Sequence, residues 1–188
     1  MISLRTNRLW LREHRLEDLK PLRAMLSDPA LTYYLPSLRH ETQEETARYL
    51  EGCLRDAAAY PRLRYNLAVC DANGALVGSV GLHLIDGDPD DGHYGLGFFI
   101  QRDRWNQGYA AEAVGAALDC IFAHGAARVS ASALAENLAS RRVLEKCGFV
   151  QEGLLRRHTW HDGVWRDCAV YGRLKDESEG GCDPCFER

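Results

Sequence analysis

The second half of the chain alternates between strand-like and helix-like patterns, and this order constrains the fold more than any other feature of the sequence. A strand pattern at 93–100 precedes an Ala-rich helical pattern at 109–124, and a second strand pattern at 128–134 precedes a helical pattern at 137–147. Two last strand patterns begin at Phe149 and are separated by Asp162-Gly163. This order predicts an α/β domain whose mixed sheet is flanked by helices.

The first half of the chain is expected to add further strands to the sheet and two helices that pack against it. Residues 3–12 alternate and predict a strand, and residues 16–27 and 42–59 predict helices. The first helix is closed by Asp28-Pro29, and the second is opened by Thr42 and Glu45 at capping-box spacing. Between these helices and residue 93, the runs 65–70 and 75–82 predict a hairpin through the turn 71–74, and the polar run 86–92 predicts a loop. We expect one domain over 1–174 and a flexible polar tail over 175–188.

Charge and apolar content exclude several classes of protein. The formal net charge is −4 and the sequence pI is near 6.0, whereas a general nucleic-acid binder needs surplus Lys and Arg. No apolar run approaches the ~20 residues of a membrane helix, and the N-terminus lacks a signal-peptide pattern. We therefore expect a cytoplasmic protein with neither nucleic acid nor membrane as partner, and we allow for a homodimer.

Cysteine usage agrees with a reducing compartment. The chain has seven cysteines, and five of them lie singly within apolar or helical patterns, which is typical of reduced thiols. Cys182 and Cys185 form one CxxC in the tail, and no second pair is present to complete a zinc site. We expect no metal.

The turn after residue 100 has the properties of a phosphate-binding loop. It opens a helix at Gly108, where unpaired backbone amides and the helix dipole favour an anion. Gly108, Ala110 and Ala111 are small enough for a phosphate to approach the backbone, and Arg102 and Arg104 add positive charge. An ordinary strand-to-helix turn contains the same residue types, so spacing alone leaves both interpretations open.

A second feature lies on the helix that begins near Asn137. Ser140, Val143, Leu144 and Cys147 share one helical face, so the Ser140 hydroxyl points inward with apolar neighbours. An inward hydroxyl needs a partner. That partner is either a helix carbonyl one turn earlier, which is common for serine, or a functional group.

These motifs together resemble the GNAT acetyltransferase superfamily, and most of all its RimJ/RimL-like protein N-acetyltransferases. The resemblance is carried by WNQGYAAEA at 105–113, by Asn137-x-x-Ser140 and by LEKCGF at 144–149. Further matches are TNRLWLR at 6–12, EGLLR at 152–156 and DGVWRD at 162–167, so it spans about residues 3–174. It implies a three-layer fold with a splayed mixed sheet, and acetyl-CoA as cosubstrate.

The resemblance also implies where acetyl-CoA binds. Pantetheine would pair beside residues 98–100, the diphosphate would meet the loop 107–111, and Asn137 would contact the pantetheine arm. Ser140 would lie near the sulfur, where it is the candidate to donate a hydrogen bond or a proton to it, and a backbone amide near Phe98 or Phe99 would stabilise the oxyanion. Trp105 replaces the Gln or Arg common in the superfamily, although an aromatic residue is usual in this branch. The cofactor-binding candidates are Phe98, Phe99, Ile100, Arg102, Gln107, Gly108, Tyr109, Ala110, Ala111, Asn137 and Ser140.

The general base is less defined than the cofactor site. Many relatives carry Glu where this chain has Gly95. His93 lies on the same strand face, His158 and His83 are further candidates near the acceptor side, and a relayed water is the alternative. Glu112 is interpreted as an early-helix residue that favours the dipole.

The acceptor side is expected to be built by the first two helices and the last hairpin. Tyr33, Tyr34, His83 and Trp160, together with Trp165, are candidates to line it, although such aromatics are commonly core residues. The resemblance favours transfer to the N-terminal α-amino group of a protein. The alternatives are a small amine (polyamine, amino acid or antibiotic) and a non-catalytic CoA-binding regulatory module.

Overall fold

The computed structural model describes residues 1–178, which form two compact units. The first comprises residues 1–83 and 97–117, and the second comprises 84–96 together with the described residues from 118 onward. The described helices are α1 (Leu19–Leu26), α2 (Pro29–Thr32), α3 (Gln43–Ala58), α4 (Tyr109–Ala123) and α5 (Leu138–Lys146). The strands are β1 (Ser3–Arg5), β2 (Leu9–Glu13), β3 (Arg64–Asp71), β4 (Leu76–Asp86), β5 (His93–Ile100), β6 (Arg128–Leu134), β7 (Val150–His161) and β8 (Val164–Leu174).

The strands form one mixed sheet, which confirms the predicted fold class. Their order is β1-β2-β3-β4-β5-β6-β8-β7. The β5–β6 ladder is parallel, whereas β1–β2, β2–β3, β3–β4, β6–β8 and β7–β8 are antiparallel. Along the chain, α4 lies between β5 and β6 and α5 lies between β6 and β7, as the sequence pattern predicted. The CxxC of Cys182 and Cys185 lies outside the described residues.

The single strand predicted over residues 3–12 was wrong, because the chain turns back at Thr6. Ser3 pairs with Arg12 in an antiparallel hairpin of β1 and β2. The Thr6 backbone amide donates to the Leu9 carbonyl at 3.0 Å, and the Leu9 amide donates to the Thr6 hydroxyl at 2.9 Å. The alternating pattern continues through this tight turn, so periodicity alone does not reveal it.

The first predicted helix differs from the structure at its start, where Leu16–Asp18 is a 3₁₀ turn before α1. Its end agrees, because α1 stops at Leu26 with Ser27 as its C-cap, and Asp28 then caps the separate α2 by accepting a hydrogen bond from Ala30 N at 2.9 Å. Asp18 is buried and accepts two 2.7 Å hydrogen bonds from the Arg12 guanidinium. This paired salt bridge requires the tight 3₁₀ turn that brings the carboxylate back to β2.

Helix α3 begins as its sequence predicts. Thr42 accepts from the Glu45 amide at 3.2 Å, and the Glu45 carboxylate accepts from the Thr42 amide at 3.0 Å, which completes the capping box. Its buried face joins the core of the first unit, where Leu22, Leu26, Leu50 and Phe99 pack together. Because Phe99 belongs to β5, this packing holds the end of that strand against the core.

The second unit is built on the β5–β6 and β8–β7 ladders. His93, Tyr94 and Gly95 pair with residues 128–130, and β6 pairs along its whole length with β8. Helix α5 ends at Lys146 with Cys147 as its C-cap, and Gly148 follows with φ +78°, the left-handed conformation expected of a glycine after a helix. Gly148 therefore turns the chain from α5 into β7, which begins at Val150.

Candidate functional site

The loop between β5 and α4 is held rigidly by its own backbone and by Trp105. The Trp105 indole N–H donates to the Ile100 carbonyl at 2.7 Å, and the Gln101 amide donates to the Val77 carbonyl at 2.7 Å. Asn106 and Gly108 then adopt left-handed conformations, with φ of +58° and +82°. These two residues reverse the chain so that α4 begins at Tyr109, with the loop on the surface.

Arg8 lies directly against this loop, which the sequence pattern did not predict. Its Nη1 donates to the Gln107 carbonyl at 2.9 Å, and its guanidinium lies 4.6 Å from the centroid of the Tyr109 ring. A Cβ built on Gly108 would stand 3.3 Å from Arg8 Nη2. Gly108 is therefore required both by its positive φ and by the closeness of this guanidinium.

Glu112 fixes Arg8 in that position. Its Oε1 accepts from the Thr6 hydroxyl at 2.6 Å and from the Arg8 amide at 2.9 Å, while Oε2 accepts from Arg8 Nε at 2.8 Å. Partial burial alone raises the pKa of Glu112, but the hydrogen bonds from Thr6 and Arg8 outweigh it and hold the pKa below its ordinary value. Glu112 lies in the first turn of α4, as predicted, and it also binds the β1–β2 turn across the first unit.

The other two arginines of the loop differ in their pairing. Arg104 lies 5.8 Å from the Tyr109 ring centroid, and its Nη2 is 3.3 Å from an Asp71 carboxylate oxygen. Arg102 is exposed, and within residues 1–178 no hydrogen bond or ion pair engages its guanidinium, although its carbonyl accepts from the Trp105 amide at 3.1 Å. Because Arg8 and Arg104 are neutralised by carboxylates, Arg102 is the loop cation whose charge is uncompensated in the described chain.

The end of β5 presents backbone rather than side chains. Phe99 and Ile100 are buried, Phe98 is half-buried and Gly97 is exposed. The described register with β6 stops at Gly95. The Ile100 carbonyl at the end of this strand accepts the Trp105 indole N–H.

In the second unit, Asn137 and Ser140 form a closed pair at the start of α5. Asn137 Oδ1 accepts from the Ser140 amide at 3.2 Å, and Asn137 Nδ2 donates to Ser140 Oγ at 3.0 Å. The backbone amide can only donate, so it fixes which end of the Asn137 amide faces the hydroxyl. Ser140 Oγ thus accepts from Asn137, and its own proton stays available for another acceptor. The partner is this amide rather than a helix carbonyl.

The three candidate histidines lie in different environments. His93 is half-buried on β5, with Nε2 at 2.7 Å from Ser130 Oγ on β6. His158 is exposed on β7. His83 ends the first unit opposite Arg64, and desolvation together with the Arg64 charge lowers its pKa. A lowered pKa keeps the His83 imidazole neutral at pH 7, as a base requires.

The candidate acceptor-side aromatics are surface residues in two separate pairs. Tyr33 and Tyr34 follow α2 with their ring centroids 4.8 Å apart, edge to face. Trp160 and Trp165 face each other across β7 and β8 at 5.4 Å, and both are more than half exposed. None of these four aromatic residues is therefore a core residue.

Neither a metal site nor a membrane span is found in the described chain. Residues 1–178 contain no group of three His, Cys, Asp or Glu side chains arranged to hold an ion. Within the same residues, no helix is both long and apolar enough to cross a bilayer. Among the described residues, Cys53, Cys70, Cys120, Cys147 and Cys168 are buried and none of them forms a disulfide.

Comparison with known proteins gives a consistent picture. Residues 8–150 match the family model described as an acetyltransferase (GNAT) domain. The uncharacterised N-acetyltransferase p20 of Bacillus licheniformis is 29% identical over 181 residues, which cover 96% of this chain and 100% of that protein.

Two solved structures share the fold over nearly the whole chain. A ribosomal-protein-S5-alanine acetyltransferase from Vibrio fischeri superposes with a TM-score of 0.82 at 21% identity, covering 94% of this chain and 98% of its own. A spermidine N-acetyltransferase from Vibrio cholerae, solved with CoA and spermine, superposes with a TM-score of 0.79 at 21% identity, covering 92% and 98%. At this identity the likeness is one of fold.

Proposed function

The chain belongs to the GNAT acetyltransferase family, and from this premise we propose that it acetylates the N-terminal α-amino group of a protein. It is an acetyl-CoA-dependent N-acetyltransferase, and its relative p20 is named as an N-acetyltransferase. The RimJ/RimL-like motifs at 152–156 and 162–167 favour a protein acceptor. A small amine is the second candidate, because a spermidine acetyltransferase shares the fold.

The observation that carries the cofactor assignment is the loop held by Arg8 and Glu112. Gly108 brings the backbone to the surface where α4 begins, and the exposed Arg102 supplies a cation. A diphosphate fits such a helix start, since backbone amides and the dipole both favour an anion. We assign the diphosphate to residues 107–111, with Tyr109, Ala110 and Ala111 contributing the first turn of α4.

We assign the remaining cofactor contacts to the pantetheine arm and the thioester. Phe98 and Phe99 offer backbone groups to the pantetheine arm and to the oxyanion, and Ile100 completes that stretch of β5. Asn137 contacts the arm through its buried amide. Ser140 Oγ is the proton donor, because Asn137 occupies one of its acceptor positions and leaves its O–H to donate.

The acetyl-transfer step exchanges one bond for another. The amine nitrogen forms a C–N bond to the acetyl carbonyl carbon while the C–S bond breaks; the nitrogen loses one proton, and the thiolate gains one. Ser140 donates its hydrogen bond or its proton to the thiolate in this assignment, and the proton released by the amine, carried by the base or by water, restores the Ser140 hydroxyl. Positioning of the two substrates supplies most of the acceleration. His93, His158 or a relayed water accepts the amine proton.

His83 belongs to the same proposal as a neutral imidazole beside the acceptor. Its lowered pKa supports a role in binding or deprotonating an amine at neutral pH. Tyr33, Tyr34 and Trp160 are assigned to the acceptor surface because they are exposed aromatics. The buried, reduced cysteines support a cytoplasmic location.

The direct test is thiol release from acetyl-CoA with a panel of N-terminal peptides and small amines. We expect turnover with at least one peptide, and mass spectrometry should locate the acetyl group on its α-nitrogen. N-terminally blocked copies of the same peptides should be inert. Turnover with polyamines or amino acids alone would assign the enzyme to the second candidate class.

A further inference from the structure

The outermost strand of the sheet carries an unusually large bulge. Leu155 pairs with Cys168 and Thr159 pairs with Arg166, so three residues of β7 (Arg156, Arg157 and His158) face the single residue Asp167 of β8. Ordinary bulges insert one extra residue. This segment, which we call the basic bulge (residues 156–158), is therefore pushed out of the ladder.

The basic bulge has a defined backbone conformation. Arg157 has φ +50°, a conformation that L-residues rarely adopt, and its amide donates to Asp167 Oδ1 at 2.8 Å. Asp167 is held in turn, because its carbonyl accepts from the Ala135 amide at 2.9 Å. Strained backbone that neighbours hold in place commonly marks a binding feature.

Charge on this hairpin is distributed unequally. Arg166 is paired with Glu136 at 3.1 Å and Glu152 is paired with Arg128. Arg156 and Arg157 are exposed, and within residues 1–178 no carboxylate engages either guanidinium. Besides Asp167, the remaining acid of the hairpin is Asp162, in the turn that joins β7 to β8.

Apolar surface lies on both sides of the basic bulge. Leu154 and Leu155 are 50% and 40% exposed before it, and Trp160 and Trp165 form an exposed pair after it. A nucleic acid would require a wider basic surface, which a chain of net charge −4 does not offer. A partner segment that carries both carboxylates and apolar side chains complements this surface, where two arginines lie between exposed apolar residues.

We propose that the basic bulge of β7 is a docking surface for an acidic, partly apolar segment of the protein that this enzyme acetylates. This rests on the proposed protein acceptor and names its class: a substrate with Asp or Glu near the modified terminus. The same charges disfavour a polycationic acceptor such as a polyamine. Exposed ion pairs are individually weak, so two or three of them should change affinity about three- to tenfold.

The test uses a peptide that binds without reacting. An N-terminally acetylated, dye-labelled peptide of alternating Glu and Leu is titrated with full-length protein saturated with CoA, and its anisotropy is compared with that of a matched Gln–Leu peptide. We expect the Glu peptide to bind at least threefold more tightly at low salt. That advantage should shrink at high salt, because the contributing charges are exposed.

Variants locate the effect. Arg156→Gln combined with Arg157→Asn, where Asn tolerates positive φ, should abolish the preference. Arg142→Gln combined with Lys146→Gln, which removes two exposed charges from α5, should retain it. Arg156→Glu should weaken binding of the Glu peptide further and favour a Lys–Leu peptide.

Three results would overturn the proposal. They are equal binding of the Glu and Gln peptides, a preference that survives in the bulge variant, and bulge-dependent binding of single-stranded oligonucleotide tighter than that of the Glu peptide. Thiol release is measured separately. If only small amines are turned over while the blocked Glu peptide still binds at the bulge, the proposed acceptor fails and the docking surface stands.

Discussion

Glu112 holds Arg8 in a two-pronged ion pair, with Oε2 at 2.8 Å from Nε and 2.7 Å from Nη2. The same guanidinium donates to the Gln107 carbonyl. The pair therefore connects the β1–β2 turn to the loop to which we assign the diphosphate. Both guanidinium contacts go to Oε2, while Oε1 accepts from the Thr6 hydroxyl and the Arg8 amide, so one carboxylate fixes both the turn and the guanidinium.

Removing Arg8 should loosen that loop. We expect Arg8→Ala to weaken acetyl-CoA binding about three- to tenfold and to lower the free energy of unfolding by about 1–2 kcal/mol. Arg8→Lys keeps the charge but loses the fork, so it should restore stability only in part. Calorimetry and urea denaturation measure the two effects.

The control for Arg8 is Glu152→Gln, which breaks the Arg128 pair in the second unit. It should leave cofactor affinity unchanged. If Arg8→Ala bound acetyl-CoA as tightly as the parent protein does, the guanidinium would have no part in shaping the loop.

The sequence predicted local features well and long-range contacts poorly. The Thr42–Glu45 capping box and the left-handed Gly148 involve residues three to five positions apart, so their patterns are visible along the chain. Thr6 and Glu112 are 106 residues apart, and neither pattern indicates the other. The hairpin turn at Thr6 is an exception: it is local, but the alternating pattern continues through it and conceals it.

The contacts of the candidate site residues were also predicted unequally from the sequence. Asn137 and Ser140 were singled out by spacing, and their mutual hydrogen bonds depend on one helical turn. The bulge at 156–158 depends on how β7 and β8 are registered, which no single run of residues specifies. Spacing also did not indicate Arg8, which lies in the β1–β2 turn and contacts Gln107 and Tyr109 about a hundred residues later.

Breaking the buried Arg12–Asp18 pair should be costly. Asp18→Asn leaves a buried guanidinium without its countercharge, so we expect the free energy of unfolding to fall by about 3–5 kcal/mol. Glu17→Gln, at the exposed neighbouring position, should have almost no effect. A loss below ~1 kcal/mol in urea denaturation of Asp18→Asn would argue against a strong pair.

Stability should fall as pH decreases from 7.5 to 5.5. Burial lowers the pKa of His40, with Arg23 adding to the shift and Glu45 opposing it, and the pKa of His83 is lowered as well. The unfolded chain, whose histidines titrate near ~6.5, then binds more protons than the folded protein in this range. His40→Gln should flatten the dependence measured by urea denaturation; a slope unchanged by this variant would contradict the assignment.

Ser140→Ala should separate chemistry from binding. Loss of the proton donor should lower kcat tenfold or more, the order of a general-acid contribution, with little change in the KM for acetyl-CoA. Ser132→Ala, an exposed serine on β6, is the matched control. Thiol-release kinetics that are the same for Ser140→Ala and the parent enzyme would remove Ser140 from the mechanism.

The central claim is that the backbone where α4 begins holds the diphosphate of coenzyme A, and Gly108→Val tests it with Gly74→Val as control. Both glycines have φ +82°, but a Cβ at Gly74 meets no atom within 4 Å, so the control reproduces the backbone strain away from the loop. The decisive measurement is calorimetric titration of acetyl-CoA into each folded protein. We predict micromolar binding for the parent and for Gly74→Val, and at least tenfold weaker binding for Gly108→Val; no binding heat with the parent, or equal affinity in all three, would contradict the account.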